Sequence, residues 1–448
     1  MAESATSFKT YYGSILRQLW DSSKWFRTLL IITLVWATLR LIVQLVLTMT
    51  GGVGDQIGVD LVVHLTAAQH FLQHLDLYPK NLADLEGQFP YPPTYAFLIT
   101  PLLWLPQQVT ALIHFILHFV FYYLLFTQWA KIFRDWKMEK ASQFLILSLP
   151  VWLVFSAFWD DVIYLNIYIL LALFATLLIE ATLKENLLQS SIWLTLILLT
   201  KPQWVFAAVI PLLLGRYRFF AKLLISSLAI YLALGLIALF AGGPAYVWGQ
   251  YKDYISLLFR LGQDFPWRGP ASGFLGYNHS IKQIFAYFLG VTPTNLIIAT
   301  IVKIILIIPM AVIVIHRIIH PIRQLSLQIA AVLETALLIY LGAFIWLDIV
   351  WEASLAIAIF SYFMSVITNK TQKIIIIGVF MLYAIQDIWR LLIYAAGSPM
   401  INGAYLQWDY SMYIPTIMIV ILTFYAVFVA RLWPWHTRSQ NKQIPTGE

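Results

Sequence analysis

A succession of apolar stretches, each of about the roughly 20 residues that cross a bilayer, constrains this chain more than any other feature. Residues 223–241, "LLISSLAIYLALGLIALFA", carry no charge at all. Inside lipid every backbone N–H and C=O must find its partner within the segment, so the expected architecture is a helical bundle. Spans are expected near 27–49, 107–129, 141–157, 167–182, 188–200, 202–214, 223–241, 294–315, 325–345, 353–368, 374–396 and 412–432. They predict an all-α membrane protein, a polytopic bundle of about 12 transmembrane helices within a range of about 11–13.

A chain that is 61% hydrophobic with only 11% charged residues is no soluble globule. Cysteine is absent, which excludes disulfides, thiolate metal sites and cysteine nucleophiles. Residues 1–26 carry Lys9, Arg17 and Lys24 without an apolar core or a small-residue cleavage site, so they read as a cytoplasmic segment rather than a signal peptide. A single transmembrane domain is expected over 27–432, followed by a cytoplasmic tail, 433–448.

Residues 92–105, "PPTYAFLITPLLWL", are apolar but short and broken by proline, which suggests a re-entrant or half-membrane element. With that reading, most Lys and Arg residues sort to one side, and only Lys80, Lys201, Lys252, Arg260, Arg268 and Lys282 fall on the other. The positive-inside rule then makes both termini cytoplasmic. Asp55, Asp60, Asp76, Asp84, Glu86, Asp160, Asp161, Asp253, Asp264, Asp348, Glu352 and Asp409 sort to the outer side, so the net charge of +7 belongs to the cytoplasmic face and points to membrane orientation, not to nucleic acid. Two outer loops are long, 50–106 and 242–293, and the second is rich in Gly, Trp and Pro. Ordered loops of that length in a compact bundle are usually functional.

In the first loop, "VDLVVHLTAAQHFLQHLDLYP" places Leu61, Leu65, Ala68, Leu72 and Leu75 on one helical face and Thr66, Gln69, His70, Gln73 and His74 on the other. This predicts an interfacial helix on the outer leaflet. Asp60 stands at its N-terminus, where exposed N–H groups and the helix dipole favour a carboxylate, and His64 lies one turn on. An N-cap and a general base at the membrane surface both fit. His70 and His74 have the i, i+4 spacing of helical metal ligands, but a solvated polar face explains them without a metal.

Several segments in order carry a resemblance: Asp60, "LDLYP" at 75–79, "YPPTYAFLITPLLWLP" at 91–106, Asn166 opening a leucine-rich span, "LLTKPQWVFAAVIPLLLGRYR" at 198–218 and "NHS" at 278–280. Together they resemble the polyprenyl-phosphate-sugar dependent glycosyltransferases of the C-type membrane fold, family 87, mostly mannosyltransferases. The resemblance implies an outward-facing site under the first loop and inverting transfer from a polyprenyl-phosphate sugar, with Asp60 as base. The chain departs from the pattern before Asn166, where Ile163 and Tyr164 stand in place of Gly-Gln, and at "NHS" in place of Asn-Gln-Ser. It departs again in "IWLDIVWEASL", where Asp348, Trp351 and Glu352 occupy a stretch that often holds Trp-x-His.

The residue chemistry fits independently. A polyprenyl phosphate is already a competent leaving group, so one acid suffices where glycoside hydrolysis uses two. A cation should face the leaving phosphate. Lys201, interrupting an apolar stretch at an expected outer end, is the main candidate, with snorkelling as its bland alternative. Arg268 and Lys282 are further candidates for the donor phosphate. His64, Tyr91, Asp160, Asp161, Asn166, Gln203, Asn278, His279, Asp348, Trp351 and Glu352 are candidates for substrate contacts. Asp160 and Asp161 are equally readable as loop charges, and Asn278-His279-Ser280 also matches a glycosylation sequon. Asp387 and Arg390, at i, i+3, are expected to neutralise each other.

The expected function is a hexosyltransferase that moves a sugar, mannose by resemblance, from a polyprenyl-phosphate donor to a lipid-linked or surface glycan acceptor. The reaction would take place on the extracytoplasmic side of the cell membrane. No metal or other cofactor is expected, the lipid-linked donor being a substrate, and the partners are donor, acceptor and bilayer. A transporter or lipid flippase is the alternative, although repeated halves are not evident.

Overall fold

A computed structural model describes residues 8–50, 52–54, 57–78, 89–261, 265–321, 325–397 and 408–434. The charges expected at Asp55, Lys80, Asp84, Glu86, Asp264, Arg323, Arg438 and Lys442, and tail residues 435–448, lie outside the described residues. Among the described residues the regular structure is helical.

Five helices are long and apolar enough to cross a membrane: Lys24–Thr50, Gln107–Asp135, Tyr217–Gly242, Pro293–Ile319 and Ile329–Trp346. Two further pairs, Glu139–Leu147 with Leu149–Tyr164 and Lys370–Ala384 with Gln386–Ala395, are each bent by 48°, giving up to seven spans. The remaining expected spans fall on helices of 10–17 residues: Tyr168–Leu183, Leu187–Thr200, Pro202–Leu213, Ala356–Val366 and Thr416–Leu432. A helix of that length reaches only about 15–26 Å, short of the roughly 30 Å hydrocarbon core. The surface pattern is that of a membrane protein turned inside out relative to a soluble one. On Lys24–Thr50, Ile32, Val35 and Leu39 are more than half exposed, whereas Arg40, Gln44 and Thr48, one turn apart, are buried. Lipid accepts the apolar face, and the polar face requires partners inside the protein.

The chain divides into two compact units. The first comprises residues 1–58, 108–173 and 352–409. Its core holds Trp129, Phe133, Phe155, Trp159, Phe363, Phe380 and Tyr383. Arg40 donates from Nε and Nη2 to both oxygens of Asp387, at 3.0 and 3.2 Å, and from Nη1 to Gln44 at 3.1 Å. Pro150 lies just after one bend, where it supplies no N–H to the preceding turn, and the Ser148 hydroxyl donates to Leu145 O at 2.9 Å. At the other bend the Ser156 hydroxyl donates to Ala384 O (3.0 Å) and accepts the Asp387 N–H (2.8 Å), satisfying backbone groups that the break would otherwise leave bare.

The second unit comprises residues 59–107, 174–351 and 410–448. The loop helix Val59–Gln73 packs on a short helix, Pro93–Ile99, and the 3-10 turn Thr100–Trp104 that continues it. Seven α-helical and five 3-10 residues span about 20 Å, which suits a half-membrane element rather than a crossing. The buried stripe of the loop helix is Leu61, His64, Ala67, Ala68 and Phe71, while Leu72 and Leu75 are exposed. The apolar face is therefore rotated from the expected one, because His64 and Phe71 are drawn into an aromatic cluster with the half-element. Pro202 disfavours helical geometry in the residue before it. Lys201 accordingly adopts φ −126° and ψ 94°, ending the helix Leu187–Thr200 before the 3-10 segment Pro202–Val209 begins.

Candidate active site

Three groups of polar side chains contain the residues singled out in the sequence. The first, in the second unit, is built on the loop helix. Asp60 occupies its first turn and is partly exposed. His64, one turn further, is buried, with its ring 4.9 Å from that of Tyr91 and 5.4 Å from that of Tyr95. Tyr91 and Tyr95 are themselves 4.7 Å apart, and the Tyr78 hydroxyl donates to Tyr91 O at 2.6 Å. The buried Lys201 completes the group: its Nζ lies 5.4 Å from the centre of the Tyr91 ring. Burial, and then the charge of Lys201, lowers the His64 pKa from 6.5 to about 3, so this imidazole is neutral at physiological pH. Its Nδ1 has no hydrogen-bond partner among the described residues. Gln203 is part-buried on the adjoining 3-10 segment. Acid and lysine, far apart in sequence, thus flank one histidine–tyrosine cluster.

The second group, also in the second unit, centres on Asp348. Its Oδ2 accepts from Lys282 Nζ at 2.8 Å and its Oδ1 from Lys303 Nζ. The Lys303 ammonium sits 5.2 Å from the Trp346 ring centre and that of Lys282 6.0 Å from Trp267. Asn278 ties two strands of chain together here: Nδ2 donates to Asp348 O at 2.9 Å, and Oδ1 accepts the N–H groups of Val350 and Ser280, both at 3.0 Å. His279 Nε2 meets Ser411 O at 2.9 Å while Nδ1 accepts the Ile417 N–H at 3.2 Å, a pattern that requires the proton on Nε2. With its amide engaged and its side chain buried, Asn278 is no acceptor for an attached glycan in this fold. The Arg268 guanidinium lies 4.4 Å from the Phe274 ring centre, and its backbone N–H and C=O are both held by the Gln283 amide. Trp351 is exposed.

The third group belongs to the first unit. Arg390 Nε donates to Asp409 at 2.8 Å and Nη1 pairs with Asp160. Asp387 pairs instead with Arg40, so the expected Asp387–Arg390 neutralisation is replaced by three longer-range pairs, Arg40–Asp387, Arg390–Asp160 and Arg390–Asp409. Arg390 points away along its helix to a second carboxylate, which the i, i+3 spacing cannot reveal. Asp161 accepts the N–H groups of Tyr168 (3.1 Å) and Ile169 (2.9 Å) and lies 3.3 Å from His118 Nε2, capping the helix Tyr168–Leu183. Asn166, in the turn between, accepts the Ile167 N–H at 2.7 Å. Glu352 is buried, and its neighbour Ala353 donates its N–H to the Tyr383 hydroxyl at 2.8 Å.

Lys303 is the residue that sequence reasoning passes over. Its signal is visible afterwards as a cation among the apolar residues 296–315 of the helix Pro293–Ile319, away from the basic residues of its last turn, a placement that lipid does not tolerate without a partner. Among the described residues no group of three or more His, Cys, Asp or Glu side chains is arranged to hold a metal ion.

Long apolar helices with buried polar faces are those of an integral membrane protein, and a cation-bearing aromatic cluster lies against its loop helix. Residues 89–343 match the family model described as Glycosyltransferase family 87, over half the chain, and the protein belongs to that family. The matched stretch includes Tyr91, Asp160, Asp161, Asn166, Lys201, Gln203, Arg268, Asn278, His279, Lys282 and Lys303, and leaves Asp60, His64, Asp348, Trp351 and Glu352 outside it. No curated protein and no solved structure matches the chain.

Proposed function

We propose that this glycosyltransferase takes a sugar, mannose by family resemblance, from a polyprenyl-phosphate carrier and transfers it with inversion to a lipid-linked or surface glycan. The reaction runs at the extracytoplasmic side of the cell membrane, within a bundle of about twelve crossings of the C-type fold. Asp60 accepts the proton of the acceptor hydroxyl as its oxygen attacks the anomeric carbon. The bond from that carbon to the phosphate oxygen breaks with its electron pair, and the departing phosphate gains a negative charge that Lys201 stabilises. No acid is needed for the leaving group and no cofactor enters. The observation that carries this reading is the cluster around His64, which brings Lys201 to the helix whose first turn holds Asp60. A carboxylate, a buried ammonium and neighbouring tyrosine rings are the groups that proton abstraction, phosphate departure and sugar stacking respectively require.

The test is transfer by the purified protein from a synthetic polyprenyl-phosphate mannose to a glycolipid acceptor, with wild type beside Asp60→Asn and Lys201→Met. Loss of transfer in folded Asp60→Asn, with donor binding kept, supports the base. A raised donor KM in Lys201→Met supports the phosphate contact. Failure of wild type with every polyprenyl-phosphate sugar overturns the donor class and brings lipid translocation forward.

A further inference from the structure

His64 lies in the buried stripe of the loop helix with Leu61, Ala68 and Phe71. It is 4% exposed, and its Nδ1 has no hydrogen-bond partner among the described residues. An apolar side chain would fill this place as Phe71 does further along the stripe. A histidine instead loses the hydration of a ring nitrogen here and gains no hydrogen bond within the fold. Nor does it act as a cation, since burial and the neighbouring Lys201 hold its pKa at about 3. A neutral imidazole presents one N–H and one lone pair, a pattern that a hydroxyl group answers with its own oxygen and hydrogen, whereas an imidazolium could only donate. A phosphate would be better served by the charged form. The orphaned nitrogen therefore asks for a hydroxyl, and its neighbours say which one. Asp60 lies one turn earlier on the helix, within about 6 Å at the Cβ atoms. On the other flank, Lys201 Nζ is 5.4 Å from the centre of the Tyr91 ring, which stands 4.9 Å from the His64 ring. The order through the cluster is carboxylate, imidazole, ammonium. In the transfer proposed above, the order is attacking oxygen, sugar, leaving phosphate. The imidazole thus falls opposite the sugar carbons beside the reacting bond, and the hydroxyl nearest that bond is the one on carbon 2.

We infer that His64 hydrogen-bonds the 2-hydroxyl of the sugar being transferred and is a specificity-determining residue, selecting lipid-phosphate hexoses with a free hydroxyl at carbon 2 over those that lack one. The inference rests on the transfer reaction proposed above, which sets what stands between Asp60 and Lys201. The division of labour is then complete along one cluster: Asp60 meets the acceptor, His64 reads the sugar and Lys201 holds the phosphate. Tyr91 and Tyr95, with rings 4.9 and 5.4 Å from that of His64, keep water from taking the place of the hydroxyl.

A two-by-two comparison of enzyme and donor tests this: wild type and His64→Phe, each with synthetic polyprenyl-phosphate mannose and with its 2-deoxy analogue. Loss of the 2-hydroxyl by itself makes the anomeric carbon ionise more readily, so the reading is the ratio of kcat/KM between the two donors in each enzyme, not either rate alone. Wild type should favour the 2-hydroxylated donor about tenfold more strongly than His64→Phe does, the value of one hydrogen bond to a buried partner. His64→Gln, whose amide again offers a donor and an acceptor, should restore part of that preference, which a role in packing alone would not. Equal donor ratios in wild type and His64→Phe, whatever the absolute rates, mark a shifted loop helix rather than a lost contact and overturn the inference. A binding arm separates this outcome from failure of the reaction itself. Native mass spectrometry of the full-length protein in detergent reads retention of both donors and of bare polyprenyl phosphate without turnover. Wild type should retain the mannose-bearing donor over its 2-deoxy analogue, and His64→Phe should narrow the difference. Retention that does not distinguish the two donors, or that the bare phosphate matches, overturns the contact at carbon 2. Absence of transfer by wild type that still discriminates between the donors counts against the proposed reaction and not against the contact.

Discussion

At the scale of single residues, Asp60 and His64 lie one turn apart on one helix. Asp60 is partly exposed in the first turn, the end of a helix that favours an acidic side chain. Asp60→Asn should lower kcat by about 10²–10⁴-fold, the usual range for general-base help, with donor KM little changed, as steady-state transfer assays would read. His64 is held neutral, its pKa lowered to about 3 from the 6.5 it has when unfolded. Below about pH 6.5 the unfolded chain takes up a proton that the folded one refuses, so stability falls as pH drops from there toward 3. Wild type should therefore lose more thermal stability between pH 7.5 and pH 5 than His64→Phe does, measured by unfolding midpoints in one detergent. Equal losses would separate His64 from the acid response.

At the scale of elements, the loop helix is fixed by close packing near its C-terminal end. A Cβ on Gly242 would stand 2.7 Å from the Phe71 ring and 2.8 Å from Val247, so the end of Tyr217–Gly242 and the loop helix approach as closely as glycine permits. Gly242→Ala should destabilise by about 1–3 kcal/mol through overpacking and should lower transfer as well, since Asp60 rides on the helix that must shift. A thermal midpoint unchanged from wild type would contradict this packing. Much of this arrangement was legible from the chain itself. Pro202 announced the break at Lys201, the paired prolines at 92 and 93 announced the half-element, and Asp60 announced the start of the loop helix. The rest was not legible for a specific reason. A helix in a membrane protein can turn its apolar face to lipid or to protein, so hydropathy grouped Leu72 and Leu75 with Leu61 and Ala68 on one leaflet-facing surface, whereas the aromatic partners of His64 and Phe71 turn Leu61 and Ala68 into the protein and leave Leu72 and Leu75 exposed. Pairing is equally non-local: Lys303 meets Asp348 across 45 residues and Arg390 meets Asp160 across 230, separations that no spacing rule encodes.

At the scale of the whole molecule, the topology proposed above, with the loop helix outside and both termini inside, is open to a direct chemical test. The chain has no cysteine, so single cysteines can be introduced without background. Thr66→Cys, exposed on the loop helix, should react with a membrane-impermeant maleimide on intact cells, and Lys140→Cys, exposed at the opposite expected face, should react only after the membrane is opened. The reverse pattern would invert the topology and with it the side of catalysis. The Arg40–Asp387 pair joins the first long span to a helix made 347 residues later. At a synthesis rate of about 5–20 residues per second, the guanidinium waits roughly 20–70 s in or near the insertion machinery before its carboxylate exists. During that interval Gln44, on its own helix, shares the charge, and the Trp159 ring, made about 120 residues after Arg40, faces the guanidinium at 5.6 Å in the finished fold. The first span must therefore be inserted as a provisional segment, and chains that terminate before residue 387 leave a membrane arginine unmatched, a mark by which a quality-control protease can tell an unfinished copy from a finished one.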